Sequence, residues 1–180
     1  MSWFHKLLPS SIRLRSKVKK DVPEGLWTRC PSCEKMLFNA ELDRLYRVCS
    51  HCQHHFPLSP LERKTALLDE TYDELFGDIN PVDSLKFKDT KRYKDRLKVL
   101  ERTHRSSEAL VCYYGKMQEH DIILACFDFT FIGGSMGSVV GERFTLACER
   151  AVELKIPLIC VATSGSARMQ ESLHSLMQMT

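Results

Sequence analysis

The period of hydrophobic positions changes several times along the chain, and each change marks a segment. "SPLERKTALLD" sets Ser59 as an N-cap, Pro60 at the first helical position and Glu62 three residues after the cap, so a helix starts there. From about Glu70 to Lys88 the periodicity fades around Gly77 and Pro81, which reads as a connecting segment. In "DTKRYKDRLKVLERTH" Tyr93, Leu97 and Leu100 share one helical face. "ALVCYYGKM" and "DIILACFDFTF" are apolar, rich in Val, Ile, Tyr and Phe, and separated by polar "QEHD", the pattern of a β-hairpin. A glycine-rich loop, "IGGSMG", then opens a long helix with Val140, Phe144, Ala147, Cys148 and Ala151 as its buried stripe. The short branched run Ile156 to Ala162 reads as a buried strand. Small residues 164–166 form a tight turn, after which Met169, Leu173, Leu176 and Met177 recur at helical spacing.

The resulting order of strand, strand, helix, strand, helix predicts an α/β unit over residues 109–180, preceded by a helical connector over 59–108. Its two glycine-rich turns follow strands and lead into helices, which places free backbone N–H groups where negative charge is stabilised. "GGSMGSVVG" lacks the Lys-Ser/Thr of a phosphate-binding P-loop and the glycine order of a dinucleotide fingerprint. No Ser/His/Asp or G-x-S-x-G signature supplies a nucleophile. The chemistry this pattern points to is amide stabilisation of an enolate.

Four of the eight cysteines, Cys30, Cys33, Cys49 and Cys52, form C-x2-C pairs separated by fifteen residues, the spacing of a structural zinc site. Two residues between thiolates let a knuckle aim both sulfurs at one ion. So short a segment lacks an apolar core of its own, and one Zn2+ would supply the stability. Alternation in "KMLFNAEL" and "RLYRVC" predicts the β-hairpins of a zinc ribbon over residues 26–58. His51, His54 and His55 are substitute ligands, and a pair of disulfides is the competing account of the thiols. Cys112, Cys126, Cys148 and Cys160 sit in apolar segments and read as buried small hydrophobes.

Charge adds one feature. Lys6, Arg13, Arg15, Lys17, Lys19 and Lys20 all precede the first acidic residue, Asp21, making residues 1–25 a basic arm on a chain of formal net charge +3. The arm has no apolar centre of the kind an export signal needs, while an organelle transit peptide shares its composition. No apolar run approaches the roughly 18 residues needed to cross a bilayer. A ribbon beside a basic arm is also a nucleic-acid footprint, the alternative to an enzyme subunit, although Trp27 and Tyr46 are few for a stacking platform.

Taken together, "LWTRCPSC", "VCSHCQHHF", "FIGGSMGSVVGERF" and "SGSARMQESLHSLMQM" resemble, in family order, the acetyl-CoA carboxylase carboxyltransferase β subunit of bacterial and plastid type. The resemblance implies a crotonase-like α/β fold behind a zinc ribbon. It implies carboxyl transfer from carboxybiotin, supplied in trans on biotin carboxyl carrier protein, to acetyl-CoA, giving malonyl-CoA for fatty acid synthesis. Backbone amides at Gly165 and Ser166 would hold the enolate, with Gly133, Gly134 and Gly137 shaping the adjacent wall. The implied partners are a carboxyltransferase α subunit, in a heterotetramer of two α and two β, and biotin carboxylase; the implied compartment is the cytoplasm or a plastid stroma. Ser166 stands where the family motif has glycine. Thr180 falls inside a helix whose apolar face is still repeating, so the resemblance covers the front portion of that subunit, either active or a catalytically inactive truncated remnant.

Overall fold

The computed structural model describes residues 25–103 and 106–179, and the basic arm expected over 1–25 lies, apart from Gly25, outside them. The chain divides into two compact units, one ending at His54 and the next beginning at His55.

The first unit is a small ribbon. Strands β1 (Trp27–Arg29) and β2 (Met36–Phe38) pair antiparallel, Thr28 opposite Leu37. The expected strand character of "KMLFNAEL" stops at Phe38, because Asn39–Arg44 is the helix α1. Ala40, Glu41 and Leu42 are good helix formers, and the turn seats Leu42 at 2% exposure. "RLYRVC" does not form the expected strand either: Tyr46 (φ 49°) and Arg47 (φ 61°) are left-handed, a conformation no strand contains.

In the second unit, α2 (Pro60–Leu67) starts as predicted. The Ser59 hydroxyl accepts from the Glu62 amide at 3.3 Å, and the Glu62 carboxylate accepts from the Ser59 amide at 2.7 Å. The segment expected as a helical connector supplies α2, a strand and a helix. The strand, β3 (Tyr72–Leu75), gave no signal because three of its four residues are exposed, so no alternating apolar pattern exists. The helix, α3 (Tyr93–Thr103), buries Tyr93 completely and leans Leu97 and Leu100 on the core.

The sheet order is β3-β4-β5-β6. Strands β4 (Leu110–Met117) and β5 (His120–Phe127) form the predicted hairpin, closed at Met117–His120 through Gln118 and Glu119, both at positive φ as a type I′ turn requires. Strand β6 (Leu158–Val161) lies parallel to β5, and α4 (Ser138–Leu154) is the crossover such a pairing needs. Alternate strand residues feed two cores. Leu110, Cys112, Ile123, Ala125 and Phe127 pack with Val140, Ala147 and Ala151 of α4 on one face, whereas Val111, Tyr113, Ile122 and Leu124 pack with Leu68 on the other.

The stripe of α4 is rotated from expectation: Phe144 is 38% exposed and Cys148 only partly buried, while Arg143 is fully buried. Its guanidinium donates through both Nη atoms to the carbonyls of Leu110 (2.8 Å) and Ile79 (2.7 Å) and to the Ser107 hydroxyl (2.8 Å), so the inward face carries a cation held by neutral acceptors, with its buried Nε left without one. Cys112 and Cys126 are buried as expected; Cys160, on the outer strand β6, is exposed. Past the second turn, a 3-10 turn (Met169–Glu171) and α5 (Leu173–Met177) replace the expected continuous helix, because Ser172 (φ 48°, ψ −124°) breaks the backbone between them.

Candidate functional site

In the ribbon, the two C-x2-C turns each fold back on a first cysteine. The Glu34 amide donates to the Cys30 carbonyl and the Gln53 amide to the Cys49 carbonyl, both at 2.9 Å. Glu34 and Gln53 take φ of 60°, which turns the chain sharply past each pair. All four sulfurs of Cys30, Cys33, Cys49 and Cys52 lie within 4.8 Å of one another. Cys30 and Cys52 are separated by 3.7 Å, Cys33 and Cys49 by 3.8 Å. A tetrahedron with Zn–S bonds of about 2.3 Å has edges of roughly 3.8 Å, so these residues fit a zinc ion, and the separations are far longer than a disulfide. His51, His54 and His55 do not join this cluster.

The second site lies in the α/β unit. Because β5 and β6 run parallel, their carboxyl ends share one edge of the sheet, and the two glycine-rich turns emerge side by side. A parallel bridge between Met136 and Ala167 joins them. The Met136 amide donates to the Ser166 carbonyl (2.9 Å), and the Arg168 amide donates to the Met136 carbonyl (2.8 Å). In the first turn Ile132, Gly133 and Gly134 all have positive φ, a run that only its glycines adopt without strain. A Cβ on Gly134 would stand 2.5 Å from the Thr163 carbonyl oxygen.

The residues predicted to hold an enolate are placed unequally. The Gly165 amide donates to the Gly133 carbonyl at 2.9 Å, so it is engaged rather than free as expected: the close approach of the two turns consumes it. The Ser166 amide has no acceptor among the described residues. Ser166 is exposed, lies outside the positive-φ set, and turns its hydroxyl to the Ala167 carbonyl (3.1 Å). Gly133 and Gly134 border the second turn. Gly137 instead faces inward, where a Cβ would meet Glu171 and Arg168 side-chain atoms at 2.5 and 2.9 Å.

Beneath the turns is a charged cluster that sequence reasoning missed. Arg168 and Glu108 are fully buried and form a two-pronged ion pair, one contact being 2.8 Å from Nη1 to Oε2. Arg168 also donates to the Ser135 carbonyl (2.7 Å) and the Tyr93 hydroxyl (3.1 Å). Glu171 accepts from the Tyr93 hydroxyl (2.9 Å), and from the amide and hydroxyl of Ser138 (each 2.7 Å) at the start of α4. The anion at that helix N-terminus is therefore the chain's own carboxylate. Burial alone would raise the Glu171 carboxyl, but the Ser138 donors, Tyr93 and Arg168 hold it below the ordinary range. Burial likewise works against the Arg168 cation, and Glu108 outweighs it. The available signal was an Arg and a Glu three apart directly after a small-residue turn, where a wholly solvated helix start would not need both.

A cavity of about 450 Å3 adjoins the first turn at Phe131, with Val82 and Leu97 as apolar wall and two lysines, Lys94 and Lys98, balanced by two carboxylates, Asp83 and Glu101. In the ribbon, Arg29 pairs with Glu34 and Arg47 with Asp43, so two of its cations already have carboxylate partners.

Residues 27–52 match the family model of the acetyl-CoA carboxylase zinc finger domain. A transcarboxylase 12S crystal structure with methylmalonyl-coenzyme A and methylmalonic acid bound superposes at a TM-score of 0.53 with 24% identity, over 68% of this chain and 22% of that one. A Pseudomonas malonate decarboxylase hetero-tetramer in complex with malonate (TM-score 0.49, 23% identity, 76% of this chain and 47% of that one) and the P. aeruginosa geranyl-CoA carboxylase beta subunit (0.46, 15%, 78% and 22%) are also similar. The chain thus spans about a fifth of the length of the transcarboxylase chain it matches. No helix among the described residues is long and apolar enough to cross a membrane. The chain thus carries an acetyl-CoA carboxylase zinc finger domain at residues 27–52, ahead of an α/β unit that shares the crotonase-like fold of the transcarboxylase chain.

Proposed function

We propose that this chain acts as the β component of an acetyl-CoA carboxylase carboxyltransferase, moving a carboxyl group from carboxybiotin to acetyl-CoA. The observation that carries the reading is the unpartnered Ser166 amide, held at the joint of two glycine-rich turns in a chain whose ribbon matches the acetyl-CoA carboxylase zinc finger. Biotin, delivered in trans on its carrier protein, would supply the carboxyl group. The role of this chain is to hold the thioester oxygen while negative charge develops on it as the methyl group loses its proton. One such amide is worth about 10²–10³ in kcat. The Gly165 amide would add a second donor only if it left the Gly133 carbonyl. Zinc, held by Cys30, Cys33, Cys49 and Cys52, would be structural, since four thiolates close its coordination shell.

The cavity beside Phe131 suits part of the coenzyme A moiety: Lys94 and Lys98 offer cations to its phosphates beside the carboxylates of Asp83 and Glu101, and Leu97 and Val82 offer an apolar wall. A carboxyltransferase α subunit in a two-α, two-β assembly, the biotin carboxyl carrier protein and biotin carboxylase are the partners this reading requires, in the cytoplasm or a plastid stroma.

The test is malonyl-CoA formation from acetyl-CoA and carboxybiotin by the chain combined with an α subunit, beside methylmalonyl- and geranyl-type substrates. Preferential carboxylation of acetyl-CoA supports the reading. Turnover of only a longer acyl-CoA, or none with any, defeats it.

A further inference from the structure

We propose that Arg168 is the positioning residue that holds the two glycine-rich turns in register and so sets where the Ser166 amide points; the inference rests on the carboxyltransferase reading above. Three backbone bonds join the turns: Met136 N–H to Ser166 C=O, Gly165 N–H to Gly133 C=O, and Arg168 N–H to Met136 C=O. All three are short-range links between loops, and loops without side-chain support move easily. Arg168 supplies that support from within. Its backbone belongs to the second turn, while its guanidinium grips the Ser135 carbonyl of the first. The same guanidinium is anchored from behind by Glu108 at the entry to β4 and by Tyr93 of α3. Glu171, three residues on, fixes the start of α4 through Ser138, so the first turn is held at both ends.

A planar five-donor fork is needed to reach these acceptors together, and lysine cannot do so. Arg168 touches no reacting atom. Its effect on chemistry runs through the Ser166 amide, whose interaction strengthens as charge develops on the thioester oxygen and is weak with the neutral ground state.

The experiment is hydrogen exchange on the intact chain carrying Arg168→Lys, read at the cross-turn amides of Met136, Gly165 and Arg168 against those of the β4–β5 hairpin. We expect exchange at the three amides to accelerate by about tenfold or more, with hairpin protection unchanged. Uniform acceleration through the unit, or none, would overturn the proposal. Should the lysine variant fail to fold, Tyr93→Phe removes only the hydroxyl that bridges Arg168 and Glu171, and should give a smaller acceleration at the same three amides; an unchanged pattern there counts equally against it. A binding arm separates this claim from the one beneath it. The chain with its α subunit is titrated with acetyl-CoA and with a coenzyme A thioether ending in a nitronate, which mimics the enolate. Arg168→Lys should weaken the nitronate about tenfold and acetyl-CoA little, a ratio that the fraction of folded protein does not alter. Wild type binding neither probe rejects the carboxyltransferase reading itself. Wild type preferring the nitronate, with the lysine variant preferring it equally, rejects only the positioning role.

Discussion

Glu171 caps the helix that begins at Ser138: one carboxylate oxygen accepts both the Ser138 amide and its hydroxyl at 2.7 Å, across 33 residues of sequence. Local capping residues act within one turn, so this bond is tertiary and fastens the second turn to the first helix of the crossover.

Stability should therefore depend on Glu171 ionisation. Its carboxyl is held below the ordinary value, so the contribution is complete above about pH 5 and is lost as pH falls through the depressed value. Glu171→Gln should lower stability at pH 7 by roughly 2 kcal/mol, the scale of a buried charged hydrogen bond. The gap to wild type should narrow as pH falls toward 3. Melting curves across that range decide it, and a gap independent of pH contradicts the assignment.

Two adjacent glycines should respond differently to alanine. At Gly133 (φ 64°) a Cβ meets nothing within 4 Å, so the cost is the left-handed backbone alone, about 1–2 kcal/mol. At Gly134 (φ 66°) the Cβ would strike the Thr163 carbonyl, so the second turn must also move. Denaturant melts should rank Gly134→Ala well below Gly133→Ala. Equal losses would mean the turns are not in contact.

Ser166→Gly should be nearly silent. Serine there is exposed, without a left-handed φ, and its hydroxyl bonds only its neighbour's carbonyl. Stability should change by less than about 1 kcal/mol, in the direction of loss, from added freedom of the unfolded chain. Turnover with an α subunit should stay within twofold of wild type, a rate comparison that a required hydroxyl would fail.

Chelation of zinc should melt the ribbon alone. Elemental analysis should give one zinc per chain, and Cys49→Ser should abolish it. Exchange protection of residues 27–54 should then collapse while the β4–β5 hairpin keeps its own, since the two units have separate cores. A metal-free chain with a protected ribbon would refute the site.

Thiol labelling should single out Cys160. With zinc bound, Cys160 is the exposed cysteine of the second unit; burial raises its thiol as well, but pushes the inaccessible Cys112 up to about 12 and Cys126 to about 11. The modifying reagent should mark Cys160 first, with Cys112 and Cys126 reacting only on unfolding. Early labelling of either buried thiol would show that the hairpin opens.

The legible parts of the molecule were those written in local chemistry. The Ser59–Glu62 capping box, the β4–β5 hairpin and the cysteine spacing each depend on residues a few positions apart, and the structure forms all three. Strand β3 escaped because an exposed edge strand is specified by its partner, Gly115 and its neighbours, more than by its own side chains. Arg143 escaped because a cation is not read as core, although carbonyls from two segments wait for it. The candidate site was half visible: the two turns announced themselves through glycines. The engagement of Gly165 and the Arg168–Glu108 pair could not be anticipated, since both are meetings of segments 32 and 60 residues apart.

The helix-capping role of Glu171 also bears on ionic strength. With the positive end of α4 already neutralised, and Arg168 outnumbered by Glu108 and Glu171, the floor beneath the turns exerts no long-range pull on an anion. A ligand reaching Ser166 meets a neutral amide whose influence extends only a few ångströms. Added salt should then leave the proposed enolate preference of the turns unchanged and weaken only contacts made by exposed cations such as Lys94 and Lys98, so recruitment and the proposed chemistry can be told apart with nothing more than a potassium chloride titration.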